Sequence, residues 1–192
     1  MVIKELKQKE AIRMVGITGG EPFIYFSDAI GLIERVKQLG LGVTFTTNGF
    51  WGKEYEIAYE KLKIIKKLGV DFFTLSVDDF HEKFVPYQSI ANVVDISKKL
   101  DIRIIINSVS TKNSKRLKGV LEKLENSLIN CNLIEIPCVP VGHAAERIKE
   151  DEYIYMDELP TGCCEFMNTF TILPNGNAYP CCSEAGMSSV LY

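Results

Sequence analysis

Arg13-Met14-Val15-Gly16-Ile17-Thr18-Gly19-Gly20-Glu21-Pro22 couples a short apolar run to two glycines, a carboxylate and a proline. A helix-like pattern opens at Ser27, so the glycine pair stands where a strand hands over to a helix. Open α/β sheets and (β/α) barrels bind their ligands at that end of the strands. Without a Cβ, Gly19 and Gly20 let the main chain come within hydrogen-bonding distance of a small molecule, and Pro22 fixes the turn after them. A plain strand-to-helix turn would carry the same local pattern, so the surrounding chain has to decide.

The surrounding chain is rhythmic. Residues 1 to 12, rich in Lys and Glu, read as the tail of a helix. Strand-like segments then begin near Arg13, Gly42, Asp71, Asp101 and Asn132, and all but the last lead into a helix-like segment. The interval of about thirty residues is that of a strand plus its crossover helix. From Ser27 to Leu39, Ser27 is placed to cap, Ala29, Leu32, Ile33, Val36 and Leu39 share a face, and Gly40 stops the helix. Glu54 to Leu68 repeats the design, with Tyr55, Ala58, Leu62, Ile65 and Leu68 inward and Gly69 as the stop. Ser89 to Leu100 and Ser114 to Leu128 follow more weakly. Phe72 to Val77 and Ile102 to Asn107 are near-continuous apolar runs, as in a parallel sheet covered by helices. Five parallel strands are too few for a closed eight-stranded barrel of about 250 residues. A partial barrel or an open sheet remains. After Pro140 the rhythm breaks, and a boundary is expected near residue 145. Residues 144 to 162 are charged and irregular, and Thr169 to Tyr179 reads as two short strands around Asn175-Gly176, a hairpin signal.

With 192 residues, 46% hydrophobic and 24% charged, the chain can bury a sizeable core. Its net charge is -3 and its basic residues are spread over helix faces, which argues against a nucleic-acid or membrane-surface partner. No apolar run approaches the roughly 18 residues of a membrane span, and the opening Met1-Val2-Ile3-Lys4-Glu5 is unlike a signal peptide, so a cytoplasmic location is expected. Neither Gly-x-Gly-x-x-Gly nor Gly-Lys-Ser/Thr occurs, which counts against an ordinary phosphate-cradling nucleotide domain.

Polar or backbone-exposing groups close each strand: Gly19-Gly20-Glu21, Thr46-Thr47-Asn48, Ser76-Val77-Asp78, Asn107-Ser108 and Pro140-Val141-Gly142. Together they make a convergent small-molecule site the natural expectation. Each also has a structural reading: Asp78 and Asp79 can cap a turn, Asn48-Gly49 can supply a positive-φ corner, and Ser76 can bond to its own backbone. His81 is either a general acid or base near the site or a packed or capping residue.

In spacing and order, Thr18-Gly19-Gly20-Glu21-Pro22, Thr47-Asn48-Gly49, Ser76-Val77-Asp78-Asp79-Phe80-His81 and Pro140-Val141-Gly142-His143-Ala144 resemble the radical S-adenosylmethionine (SAM) enzymes. The resemblance implies a partial TIM-type (β/α) barrel lacking its first strand, over residues 1–145. It implies that main-chain groups of Gly19, Gly20, Glu21 and Pro22 hold the methionyl amino group. Asn48, Ser76, Asp78 and Asn107 would then serve the cofactor from the following strand ends, and backbone at Val141 and Gly142 would receive the adenine. His143 departs from the arginine that related chains often carry there.

In this family a 4Fe-4S cluster on Cys-x-x-x-Cys-x-x-Cys cleaves the cofactor to a deoxyadenosyl radical that abstracts hydrogen from the substrate. No such triplet occurs among the six cysteines, at 131, 138, 163, 164, 181 and 182. The resemblance therefore implies that the cluster ligands and first strand belong to a longer parent, and that this stretch alone does not cleave the cofactor. The alternative is a degenerate, non-catalytic module that grips a nucleoside-like ligand or a peptide. Cys163 and Cys164, then Gly176, Cys181 and Cys182, resemble the opening of a SPASM/twitch-like auxiliary cluster region, over residues 146–192. They are either auxiliary iron-sulfur ligands or small buried hydrophobes, and Cys131 and Cys138 read as core. A peptide or protein substrate and a reductant protein are the partners implied.

Overall fold

The computed structural model describes residues 2–8, 12–124, 131–155 and 169–180. The chain divides into two compact units, Met1–Ile136 and Pro137–Tyr192.

In the first unit, helix α1 (Val2–Gln8) precedes β1 (Met14–Ile17), α2 (Phe26–Gln38), β2 (Gly42–Thr47), α3 (Tyr55–Lys67) and β3 (Phe72–Ser76). A one-turn helix α4 (Asp79–Glu82), α5 (Tyr87–Lys99), β4 (Ile104–Ser110), α6 (Arg116–Leu124) and β5 (Asn132–Pro137) complete it. The strands form one sheet in sequence order, β1-β2-β3-β4-β5. Gly16 pairs with Thr44, Thr46 with Thr74, and Ser76 with Asn107, all in parallel ladders. Right-handed crossovers between neighbouring strands put every helix on the same face. The fold is thus the expected five-stranded α/β arrangement of a partial TIM-type barrel.

Burial follows that geometry. Along β2, β3 and β4, Val43, Phe45, Thr47, Phe73, Leu75, Ile104, Ile106, Ser108 and Ser110 are buried, while the residues between them are half-buried. The helices answer with Ala29, Ile33 and Val36 of α2, Ala58, Leu62 and Ile65 of α3, and Ile90, Val93, Val94 and Ile96 of α5. Phe45 and Phe73 stack at 4.8 Å between ring centres, and Phe23 closes on Phe45 at 4.7 Å and on Trp51 at 5.2 Å. The opposite face, with Gly16, Thr44, Thr46, Thr74, Ser76 and Asn107, has no helix of this series upon it. The strands are therefore apolar on one face and largely polar on the other, where their near-continuous apolar runs suggested two covered faces.

Several boundaries differ from expectation. Helix α2 opens at Phe26 with no side-chain cap, because a short 3-10 turn (Pro22–Tyr25) precedes it and is capped instead by the Glu21 side chain. Ser27 caps nothing there, and Leu32 is 40% exposed instead of inward. Helix α5 begins at Tyr87, two residues before Ser89, because Pro86 fixes its N-cap. Residues 125–128, expected to finish α6, lie outside the described residues.

The second unit contains α7 (His143–Arg147), a 3-10 turn at Glu150–Glu152 and a hairpin of β6 (Thr171–Ile172) with β7 (Ala178–Tyr179). The hairpin is antiparallel around Asn175-Gly176, with Gly176 at φ +87° and its N–H donating to the Leu173 carbonyl at 2.9 Å. Tyr153, buried, donates its hydroxyl to the Ala144 carbonyl at 2.7 Å, which ties the segment after α7 back to it. Among the described residues no helix is long and apolar enough to cross a membrane.

Candidate functional site at the carboxyl end of the sheet

The loop after β1 is held from below by its side chains, which leaves its backbone free. Phe23, 2% exposed, inserts into the aromatic stack. The Glu21 carboxylate takes three donors: the Phe23 N–H at 3.0 Å and the Thr47 hydroxyl at 2.8 Å on Oε1, and the Asn48 N–H at 2.7 Å on Oε2. Thr47 in turn accepts from the Gly49 N–H at 3.2 Å and from Trp51 Nε1 at 2.9 Å. Its buried hydroxyl thus uses one donor and two acceptor positions, its full capacity. Gly19 and Gly20 sit at φ +92° and +43°, and a Cβ on either would meet nothing within 4 Å. Their conformation demands glycine while the space above them stays open, a cradle for a ligand rather than a packed turn.

After β2, the Asn48 side chain accepts from the Phe50 N–H at 2.9 Å and Gly49 turns the chain at φ +74°. The chain then enters a 3-10 turn (Phe50–Lys53) where a Cβ on Gly52 would stand 2.3 Å from the Ser89 carbonyl oxygen. Only glycine lets that turn touch α5.

After β3, Asp78 is 3% exposed. Its Oδ1 accepts from the Phe80 and His81 N–H groups, both at 3.0 Å, and from His81 Nδ1 at 2.8 Å, while Oδ2 accepts from the Val109 N–H at 3.2 Å. Asp78 therefore caps α4 and fastens it to β4. Burial would raise its pKa, but the His81 bond and charge and the backbone donors outweigh this and hold it below the usual carboxylate range. The bond from Asp78 raises the His81 pKa against the opposing effect of burial, with the Asp78 and Glu21 charges adding to the rise. Glu21 thus reaches His81 electrostatically from the loop after β1. Glu82 of α4 pairs with Lys115 at 2.6 Å and with Lys123, and Asp79 accepts from the Lys115 N–H at 2.8 Å, latching the short helix to the approach of α6. A cavity of about 10 Å³, lined by Ser76, Asp78, His81 and Tyr87 among others, has room for one water; the Tyr87 hydroxyl is buried without a partner.

Asn107 and Ser108, expected to close their strand, lie within β4, which runs on to Ser110; Asn107 is level with Ser76, the last residue of β3, and its Oδ1 atom is buried with no partner. It lies beside Ser76 in the ladder and three strand spacings, about 14 Å, from the β1 loop. The glycine cradle at one end and an acceptor lacking a donor at the other fit a small polar ligand laid across the strand ends. In the second unit, Gly142 has φ +53° with open space above it, and Val141 donates its N–H to the Val139 carbonyl at 2.8 Å. His143 is solvent-exposed beside Glu146. Cys131 is half-buried against the core, and Cys138 is half-buried at the end of β5. Cys163, Cys164, Cys181 and Cys182 lie outside the described residues. Among the described residues no three His, Cys, Asp or Glu side chains are grouped to hold a metal ion, so these residues do not fit an iron-sulfur cluster.

Thr47 was expected at this end from its place at the close of a strand, but Trp51 was not anticipated as its partner. The signal for Trp51 was its place as the chain's one tryptophan, four residues after the polar Thr47 that ends β2.

Comparison with known proteins gives three levels of likeness. The family model described as "Radical SAM superfamily" matches residues 1–140. "Putative peptide biosynthesis protein YydG" of Bacillus subtilis (strain 168) is 31% identical over 189 residues, covering 96% of this chain and 58% of that protein. "GTP 3',8-cyclase" of Listeria monocytogenes serovar 1/2a is 25% identical over 178 residues, covering 84% and 49% respectively. The chain thus spans about half the length of the curated relatives it matches. A solved domain of pyruvate-formate lyase-activating enzyme from Bacteroides vulgatus aligns with a TM-score of 0.43 and 12% identity, over 64% of this chain and 98% of that domain. The glycine-lined first loop, the sequential parallel sheet and a family match over the whole of the first unit agree: the chain belongs to the radical SAM superfamily.

Proposed function

We propose that this chain forms the SAM-binding part of a radical SAM enzyme that abstracts hydrogen from a peptide or protein substrate. What supports the reading is the pairing of two features at one end of the sheet: the open glycine cradle of Gly19 and Gly20, and the donor-less Asn107 Oδ1. In the proposed pose the backbone of the Gly19-Gly20-Glu21-Pro22 loop takes the amino group. Ser76 and Asn107 take polar groups further along. Glu21 and Asp78 contribute by holding their loops, since their carboxylates are turned to internal donors. The cofactor, with a 4Fe-4S cluster, would supply the hydrogen-abstracting chemistry when both are bound. The described residues offer no ligand set that fits that cluster.

The peptide class rests on the relative described as a peptide biosynthesis protein. A reductant protein partner, a cytoplasmic location, an auxiliary cluster on Cys163, Cys164, Cys181 and Cys182, and a division near residue 145 complete the proposal.

Asn107→Ala separates a binding role from a structural one. A structural asparagine would lose stability on truncation, whereas removing a buried, unpaired oxygen leaves stability unchanged or slightly raised. Titration calorimetry with S-adenosylhomocysteine should show binding weakened several-fold, about 1 kcal/mol for one hydrogen bond. Unchanged affinity would overturn the assignment of Asn107, and no binding by the parent chain would overturn the reading itself.

A further inference from the structure

The amino end of the sheet carries a cavity far from the glycine cradle. It measures about 840 Å³, within the range of small-molecule sites. Neighbouring strands start at it: Asp71 stands just before β3, Arg103 just before β4, and Cys131 and Asn132 at the start of β5. The last turns of α3 and α5 bring Lys66 and Lys98 to the same wall, and the corner residue Asp101 completes its charges.

The cations Lys66, Lys98 and Arg103 therefore outnumber the carboxylates of Asp71 and Asp101, and both carboxylates are already answered. Asp101 pairs with Lys66 at 3.3 Å, and Lys66 also donates to the Asp101 carbonyl at 2.5 Å. Asp71 accepts from the Val43 N–H at 2.8 Å and from Lys37 of α2 at 3.3 Å. The Val43 bond, helped by Lys37 and by the Arg103 charge, holds Asp71 below the usual carboxylate range against the effect of burial. The helix ends account for the sign of the two lysines, since the last carbonyls of α3 and α5 attract cations. They do not account for Arg103, which lies on no helix. Its exposed guanidinium forms no salt bridge or side-chain hydrogen bond among the described residues. Positive charge is thus left over on a concave wall.

We propose that this cavity binds a compact multivalent oxyanion, with the Arg103 guanidinium as its principal donor and Lys98 as the second. A guanidinium offers paired N–H donors that match two oxygens of one phosphate or carboxylate group. Asp101 fits this role. It holds φ +53° where Gly40 and Gly69 make the corresponding corners, and its carboxylate keeps Lys66 beside the cavity. The site lies at the opposite end of the strands from the S-adenosyl ligand, so each can be occupied without the other.

Calorimetry with inorganic pyrophosphate and with citrate at physiological salt tests it, with iodoacetamide alkylation of Cys131 as the local reporter. Cys131 lines the cavity, whereas Cys138 stands at the other end of β5. Bound oxyanion should slow alkylation of Cys131 several-fold and leave that of Cys138 unchanged. Arg103→Gln should weaken binding about tenfold, and Arg103→Lys, which keeps the charge, should recover part of it. Lys63→Gln, which removes an exposed α3 cation outside the cavity, should leave binding unchanged. Tighter binding of pyrophosphate marks a phosphorylated ligand and tighter binding of citrate a polycarboxylate, and either supports the site. Binding of neither anion, equal weakening by Lys63→Gln and Arg103→Gln, or binding that leaves Cys131 as reactive as before would overturn it.

Discussion

The two ends of the sheet are built on different principles. At the amino end, three corners repeat one design. Gly40, Gly69 and Asp101 follow α2, α3 and α5 at φ +69°, +69° and +53°. After each, an apolar residue turns its N–H back to the helix: Leu41 to Val36, Val70 to Ile65 and Ile102 to Ser97. This is the Schellman stop, and Leu41 and Ile102 bury their side chains in the core as it requires. At the carboxyl end no two loops are alike: a glycine pair and a capped 3-10 turn follow β1, an Asn-Gly corner follows β2, and an Asp-capped helix carrying His81 follows β3. Repetition at one end and individuality at the other is what a barrel-type fold shows when stability is served below and binding above.

Mutations can break or sharpen that contrast. The largest effect should come from Phe23→Ala, because this loop residue is a core residue in all but position. Losing its contacts to Phe26, Phe45 and Trp51 should cost about 3–5 kcal/mol in denaturant unfolding and release the loop. A cost below about 1 kcal/mol would mean that the carboxyl-end loop is not anchored through the core.

Thr47→Val should cost about 1–3 kcal/mol, since it keeps the shape while leaving the Trp51 and Gly49 donors without their acceptor. It should also weaken ligand binding, because the Glu21 clamp loses one of its three donors. The same loss of stability with no loss of binding would uncouple the clamp from the cradle.

At the amino end, Gly69→Ala should cost about 1–2 kcal/mol, the penalty of a left-handed residue with a Cβ, and leave ligand affinity untouched. The smallest effect runs the other way. Asp101 occupies the position that glycine holds in the two sister corners, so Asp101→Gly should stabilise by up to about 1 kcal/mol by relieving the same strain. The salt bridge it gives up, to Lys66 at 3.3 Å, is solvent-exposed and contributes little. Destabilisation by Asp101→Gly would show that the three corners are not equivalent.

Two of the three amino-end corners were legible because they are local: a run of helix-facing apolar residues, then Leu-Gly, then a strand; the third, Leu100-Asp101, lacks the glycine and read as the start of a strand. Gly40 and Gly69 mark their helix stops without any knowledge of the rest of the fold. Strand spacing and order were legible for the same reason, since thirty-residue βα units leave little choice of topology. The carboxyl end was legible only as a set of residue types. Gly19, Gly20 and Asn107 read as ligand-facing; in the fold the two glycines have open space above them and the Asn107 Oδ1 is buried without a partner. The inward turn of Glu21 toward Thr47, 26 residues away, and of Asp78 toward Val109, 31 residues away, depends on pairings made only when the sheet assembles. The polar inner face was written in Gly42, Thr44 and Thr46 of β2. It was obscured in β3 and β4 because Phe72 and Ile105 interrupt the alternation there.

The most direct test of the division between the two ends is amide hydrogen exchange with and without S-adenosylhomocysteine. The account predicts slowed exchange at residues 18–22, 48–50, 76–81 and 107–109, and unchanged exchange at the corners 39–41, 68–70 and 100–102. Protection concentrated at the corners, with the carboxyl-end loops unaffected, would contradict it.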